Sequence, residues 1–94
     1  MAKLYQYTLL KQDGTVVTLA PSKKKTFAEL YILLDCSTIE IIPRDYYEHK
    51  GRCTVYGDEE ARFSTKSKTR NHHFKVLSED FDVVGDCIKE EVLK

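Results

Sequence analysis

The segment "ARFSTKSKTRNHHF", residues 61–74, concentrates side chains that could bind an anion. Its cations alternate with serine and threonine, and no acid interrupts them. Cations attract phosphate over long range, and hydroxyl and backbone N–H groups then donate short hydrogen bonds. Two adjacent histidines follow and could stack on bases. The segment predicts a polyanion-binding site for nucleic acid or a nucleotide, although a solvated loop or a dock for an acidic protein would also fit. The candidate residues are Arg62, Lys66, Lys68, Arg70, His72 and His73.

A second segment, "RDYYEHK" at residues 44–50, is typical of a protein interface. Tyr46 and Tyr47 lie among charged residues, and His49 follows them. The chain has six tyrosines and no tryptophan. Tyrosine is enriched at interfaces, because its ring can be half-buried while its hydroxyl remains solvated. A small sheet could also use these rings to fill its rim, so both interpretations stay open.

The sequence gives little support to catalysis or metal binding. His72 and His73 are adjacent, so in a strand they would point to opposite faces and could not easily share a metal. No C-x-x-C or H-x-x-x-H pair is present, and the four glycines are scattered rather than gathered in a phosphate-binding loop. We therefore expect no metal, no cofactor and no enzymatic activity.

The elements that must position these segments can be predicted from the apolar pattern. "KLYQYTLL" and "TVVTLA" alternate around an Asp-Gly turn and predict an N-terminal β-hairpin. Thr26 and Glu29 have the spacing of a capping box, which begins a helix over residues 27–35. An apolar stripe along this helix, spaced i, i+3, i+4 and i+7, predicts that it packs on a sheet. The stripe consists of Phe27, Leu30, Tyr31 and Leu34.

Further strands are predicted over residues 37–43, 52–58, 73–78 and 83–92, with a bend at Gly85. In the first of these, Ile39 and Ile41 are expected to point inward. A short helix is expected near residues 69–72. The fold class is therefore α+β, with one amphipathic helix on a curved, mostly antiparallel sheet of about six short strands. The basic segment should lie outside the core.

Length and composition fit one ordinary globular domain of 94 residues. The chain shows no secretory signal and no apolar run long enough to span a bilayer, so an intracellular location is expected. Three widely spaced cysteines then predict reduced thiols rather than disulfides. The net charge is zero, yet residues 61–75 hold five cations and no acid, whereas the stretch after them is acidic. The two stretches either face each other or form separate surfaces.

An ordered set of motifs resembles the family catalogued as domain of unknown function 3846. The motifs are "TFAELYILL" leading into "TIEIIP", then "CTVYGDEE", Asn71 after a variable loop, and "VVGDCI". They span Thr26 to Ile88. The resemblance implies a shared fold and a setting in phages, large viruses or bacteria, with no reaction attached.

Two functions are expected from these observations. The first is that of a small non-enzymatic accessory protein, phage- or virus-like and in the host cytoplasm if viral, which binds a partner protein or assembles with itself. An exposed sheet edge would favour self-association. The alternative is a phosphate-binding module that uses the loop at residues 61–73.

Overall fold

The structure is a computed structural model that describes residues 3–47, 52–61, 70–75 and 83–93. Within these ranges the elements are β1 (Tyr5–Leu10), β2 (Val16–Thr18), α1 (Phe27–Leu34), β3 (Ile39–Ile41), a 3-10 turn (Arg44–Tyr46), β4 (Cys53–Asp58) and β5 (Cys87–Val92). The strands form one antiparallel sheet in the order β2-β1-β5-β4-β3. The α+β class is confirmed, and the described residues form one α-helix and five strands, where about six strands were expected.

The N-terminal hairpin forms as predicted. Leu10 pairs with Val16 at its closed end. Gly14 has a φ of 95°, in the left-handed region that glycine adopts without strain. The Asp13 carboxylate accepts a hydrogen bond from the Thr15 N–H at 2.8 Å. This Asp-Gly turn sets the register of β1 against β2.

Strand β5 lies in the centre of the sheet, hydrogen-bonded to β1 on one side and to β4 on the other. It begins at Cys87 rather than at residue 83, because the chain bends at Gly85, where φ is 83°. The C-terminal strand therefore joins the N-terminal hairpin to β4 and β3.

Helix α1 begins with the predicted capping box. The Glu29 N–H donates to the Thr26 hydroxyl at 3.3 Å, and the Glu29 carboxylate accepts from the Thr26 N–H at 3.1 Å. The helix buries Leu30 and Leu34 against the sheet. We call the resulting cluster the helix-side core; it consists of Tyr7, Leu30, Leu34, Tyr56 and Ile88.

The opposite face of the sheet is also covered, by segments without regular secondary structure. Side chains alternate along a strand, so Cys87 and Val55 point away from α1 while their neighbours Ile88 and Tyr56 point toward it. Residues from the segments at 70–75 and 83–86 pack on this second face. The cluster, which we call the far-side core, consists of Ile42, Val55, Phe74, Val83 and Cys87.

Several sequence-based expectations are wrong in detail. Ile41 is 64% exposed, because β3 is an edge strand and the next residue, Ile42, is the one that turns into the far-side core. Residues 73–75 form a turn rather than a strand, and Asn71–Phe74 is a turn rather than a helix. Phe27 is largely exposed, although its ring packs edge-to-face on Tyr56 with the ring centroids 6.3 Å apart.

The basic segment is tied to the core at both described ends. Ala61, Asn71 and Phe74 are buried.

The three cysteines are free thiols, as expected.

Replacing Gly57 with alanine should destabilise the fold by about 1 to 2 kcal/mol. A Cβ at this buried position in β4 would lie 3.1 Å from Ile42 Cδ1 and 3.3 Å from Cys87 Sγ. Urea denaturation measures the change in the free energy of unfolding.

The change Ile42→Val removes the crowded Cδ1 atom and serves as the matched partner. The double variant Gly57→Ala, Ile42→Val should be more stable than the sum of the two single changes predicts, because the contact is relieved. Strict additivity would show that Gly57 is not needed for this close approach.

Candidate ligand-binding cleft

An open cleft of about 540 Å³ lies on the sheet face opposite α1. Its floor comes from the ends and middles of three strands, and its two walls come from the 3-10 turn and from the turn at 71–74. The lining residues are Leu10, Val55 and Lys89 on the floor, and Tyr46, Tyr47, His72, His73, Phe74 and Lys75 on the walls. This volume lies within the range of small-ligand and peptide-anchor sites.

The first wall is the turn that follows Pro43. The N–H of Tyr46 donates to the Pro43 carbonyl at 3.1 Å, and the N–H of Tyr47 donates to the Arg44 carbonyl at 3.2 Å. The turn leaves both tyrosine rings half-buried. Burial raises the pKa of Tyr47 above its ordinary value, so at neutral pH its hydroxyl is protonated and can donate.

The second wall is held in place by Asn71, which is fully buried. Its side-chain N–H₂ donates to the carbonyls of Leu10 at 2.7 Å and Gly85 at 2.9 Å. Its side-chain oxygen accepts from the His73 N–H at 3.0 Å. One side chain therefore joins the turn to the hairpin and to the bend before β5.

Arg70 also stabilises this wall. Its guanidinium donates to the Phe74 carbonyl at 3.2 Å and lies 2.9 Å from His72 Nδ1. Arginine can only donate, so Nδ1 must accept, which places the His72 proton on Nε2. His72 is exposed, and its Nε2–H is therefore a donor directed away from Arg70.

The two walls are joined to each other. The Lys75 N–H donates to the Tyr46 carbonyl at 2.7 Å. The rings of Tyr47 and Phe74 meet edge-to-face with centroids 6.0 Å apart. These contacts fix the width of the cleft, because neither wall can move without the other.

The cleft is electropositive along the residues that the structure describes. Lys75 and Lys89 line it, and no aspartate or glutamate does. Lys89 has an ion pair with Glu91 at 3.2 Å, on the same face of β5. His73 adds a buried Nε2 that has no hydrogen-bond partner among the described residues. The cleft therefore combines aromatic rings, N–H and O–H donors, and two ammonium groups.

The cleft brings together residues from both segments singled out in the sequence. Tyr46 and Tyr47 from one, and His72 and His73 from the other, line the same space. Arg70 lies beside them but bonds to its own turn. The other predicted residues, Arg62, Lys66, Lys68 and His49, lie outside the described residues.

Three contributors to the cleft were not predicted as site residues. Lys75 and Lys89 were counted only as charges, and Lys89 was assigned to an acidic stretch. Asn71 appeared in the family resemblance, as the asparagine after a variable loop, and that was the one signal that could have identified it.

Comparisons of this chain with protein-family models, curated proteins and solved structures found no match. Within the described ranges, no three His, Cys, Asp or Glu side chains are placed to hold a metal ion. In those same ranges, α1 is too short to cross a membrane.

Proposed function

We propose that this protein is a non-catalytic binding protein that holds an acidic, partly apolar segment of a partner protein in the cleft. The observation that carries the proposal is the convergence of Tyr46, Tyr47, His72 and His73 in one space. Rigid aromatic anchors with donors beside them are the usual centre of a protein interface.

The charge of the cleft sets the chemistry of the partner. Lys75 and Lys89 line it, and none of the described lining residues is acidic. A carboxylate on the partner would form charge-assisted hydrogen bonds with these ammonium groups or with the His72 Nε2–H. Leu10 on the floor and Phe74 on the wall supply apolar surface for a neighbouring side chain.

A protein segment fits this cleft better than a nucleic-acid strand. Stacking needs exposed ring faces, but Phe74 is buried, and its edge-to-face contact with Tyr47 covers one ring face of the pair. Arg70, a predicted phosphate ligand, is bonded within its own turn. The net charge of zero also differs from the positive charge that dedicated nucleic-acid binders carry.

Single-stranded nucleic acid is the second candidate, and one observation favours it. The cations Arg62, Lys66 and Lys68 lie within the eight residues before Arg70 in the sequence. A run of positive charge this close in sequence to a residue beside the cleft favours a phosphate backbone as ligand.

Peptide titration tests the first proposal. The probes are a fluorescent peptide with alternating glutamate and tryptophan and a matched peptide with lysine in place of glutamate. Fluorescence anisotropy should show binding of the acidic peptide only. Lys75→Gln and His72→Ala should each weaken binding by about tenfold, the loss expected for one charge-assisted hydrogen bond.

The control variant is Lys23→Gln, which removes an exposed lysine outside the cleft. It should bind the acidic peptide as well as the unmodified protein does. Equal binding of both peptides, or an equal loss in the Lys23 variant, would contradict the proposal.

A salt series separates the two candidates. A labelled single-stranded thymidine oligonucleotide should bind weakly or not at all. If it binds more tightly than the acidic peptide, and its affinity falls steeply with salt concentration, the nucleic-acid function replaces the protein-binding one.

A further inference from the structure

A second pocket, of about 440 Å³, lies at the edge where β1 and β4 begin and β5 ends. Among the described residues, four cationic side chains and one carboxylate line it: Lys3, Lys24, Arg44, Arg52 and Glu90. We call it the cationic pocket. It shares no lining residue with the cleft described above.

Three of the four cations of this pocket have no acidic partner among the described residues. Lys3, Lys24 and Arg52 are exposed and have no ion pair with any described residue. The Arg44 guanidinium contacts Cys53 Sγ at 3.9 Å. Like charges that converge on one space repel each other, and a bound anion would relieve that repulsion. Guanidinium groups add forked donors that match the geometry of phosphate oxygens.

Glu90 has no ion pair with these cations, and both of its carboxylate oxygens accept hydrogen bonds inside the fold. The hydroxyl of Tyr7 donates to Oε2 at 2.6 Å, and the hydroxyl of Tyr56 donates to Oε1 at 3.3 Å. Glu90 is buried, so it borders the pocket from below. A carboxylate has about four acceptor positions, which leaves capacity for a donor from a ligand.

We propose that the cationic pocket binds a small phosphomonoester that carries hydroxyl groups. The phosphate lies among Lys3, Lys24 and Arg52, which have no ion pair with a described residue. The hydroxyls point inward, toward the carboxylate of Glu90 and the hydroxyl of Thr54, which also lines the pocket. The volume exceeds what a bare phosphate needs and lies in the range of small-molecule sites. This proposal stands whether or not the cleft binds a protein.

Calorimetric titration with three probes tests it: inorganic phosphate, ribose 5-phosphate and ribose. Ribose 5-phosphate should bind more tightly than inorganic phosphate, because the hydroxyls add contacts, and ribose alone should not bind. Arg52→Gln and Lys24→Gln should each weaken ribose 5-phosphate binding by about tenfold or more. Thermal melting should show both variants folded, since the two side chains are exposed.

The matched control is Lys23→Gln, next in the chain to Lys24 but absent from the lining. Neither this variant nor the cleft variant His72→Ala should alter phosphate binding. Absence of binding by either phosphate at millimolar concentration would overturn the proposal. An equal loss in the Lys23 variant, or equal affinity for inorganic phosphate and ribose 5-phosphate, would also overturn it.

Discussion

Replacing Asn71 with alanine is expected to destabilise the protein by about 3 kcal/mol and to remove binding in the cleft. The change would leave the Leu10 and Gly85 carbonyls and the His73 N–H without their side-chain partner. Asn71 is fully buried. Each buried group left unsatisfied costs about 1 to 3 kcal/mol, with partial relief if water enters.

Urea denaturation gives the change in the free energy of unfolding, and proton NMR of the histidine rings reports the second wall directly. The control is His72→Ala in the same turn, which removes an exposed side chain and should change stability by less than about 0.5 kcal/mol. If Asn71→Ala were as stable as this control, Asn71 would not be the anchor of the wall.

Replacing Tyr7 with phenylalanine should cost about 2 to 3 kcal/mol, although it removes a single oxygen atom. That oxygen accepts from the Lys25 N–H at 2.8 Å and donates to the Glu90 carboxylate at 2.6 Å. Hydrogen bonds to charged groups stabilise more than neutral ones, and the loss would leave a buried carboxylate with one partner fewer.

Tyr5→Phe is the matched control in the same strand. The Tyr5 hydroxyl makes no hydrogen bond to a described residue, so thermal and urea unfolding should change little. Equal effects of the two substitutions would show that ring packing, and not the bond to Glu90, explains the stability of this site.

The hydrogen bonds of Tyr7 and Tyr56 to Glu90 make the free energy of unfolding depend on pH in the alkaline range. Burial, and then the hydrogen bond to Glu90, raise the pKa of Tyr7 far above its ordinary value of 10.0. Burial and the charge of Glu90 also raise the pKa of Tyr56. A raised folded pKa means that the stabilising contribution is complete below about pH 10 and is lost as the pH rises above it.

The free energy of unfolding, followed from about pH 8 to about pH 11, should therefore fall above pH 10. The fall should be less steep in Tyr7→Phe, which lacks one of the titrating groups. An identical pH profile for the two proteins would contradict the assignment.

Local patterns in the sequence predicted the parts of the fold that depend on neighbouring residues. The Asp13–Gly14 turn fixes the hairpin, and Thr26 with Glu29 fixes the start of α1. Each of these features is determined within a few positions, so propensity and spacing were sufficient.

Features that depend on distant residues could not be predicted in this way. The central place of β5 depends on pairing with β1, whose paired residues lie 77 to 87 positions earlier in the chain. Glu90 was counted in an acidic stretch, yet it is buried because Tyr7 and Tyr56 supply its partners. The covering of the far side of the sheet was missed because residues 70–75 and 83–86 have no regular period.

The sequence predicted residues of the candidate site but not their arrangement, because the arrangement depends on contacts between distant segments. Tyr46, Tyr47, His72 and His73 were chosen by residue type, but nothing local shows that the two segments meet. That contact depends on Asn71, whose three hydrogen bonds reach Leu10, Gly85 and His73. Arg70 was predicted to bind a ligand. Its hydrogen bonds to His72 and Phe74 could not be predicted from the sequence, because they depend on how the turn folds.

The most direct test of the account is an amide NMR titration of the isotope-labelled protein with the acidic tryptophan-containing peptide. We predict that the largest shifts lie at residues 46–47 and 72–75, with smaller ones at Lys89, and that α1 is unaffected. Shifts centred on α1 or on the edge strand β3, or no shifts at any peptide concentration, would contradict the claim that this cleft is the binding surface.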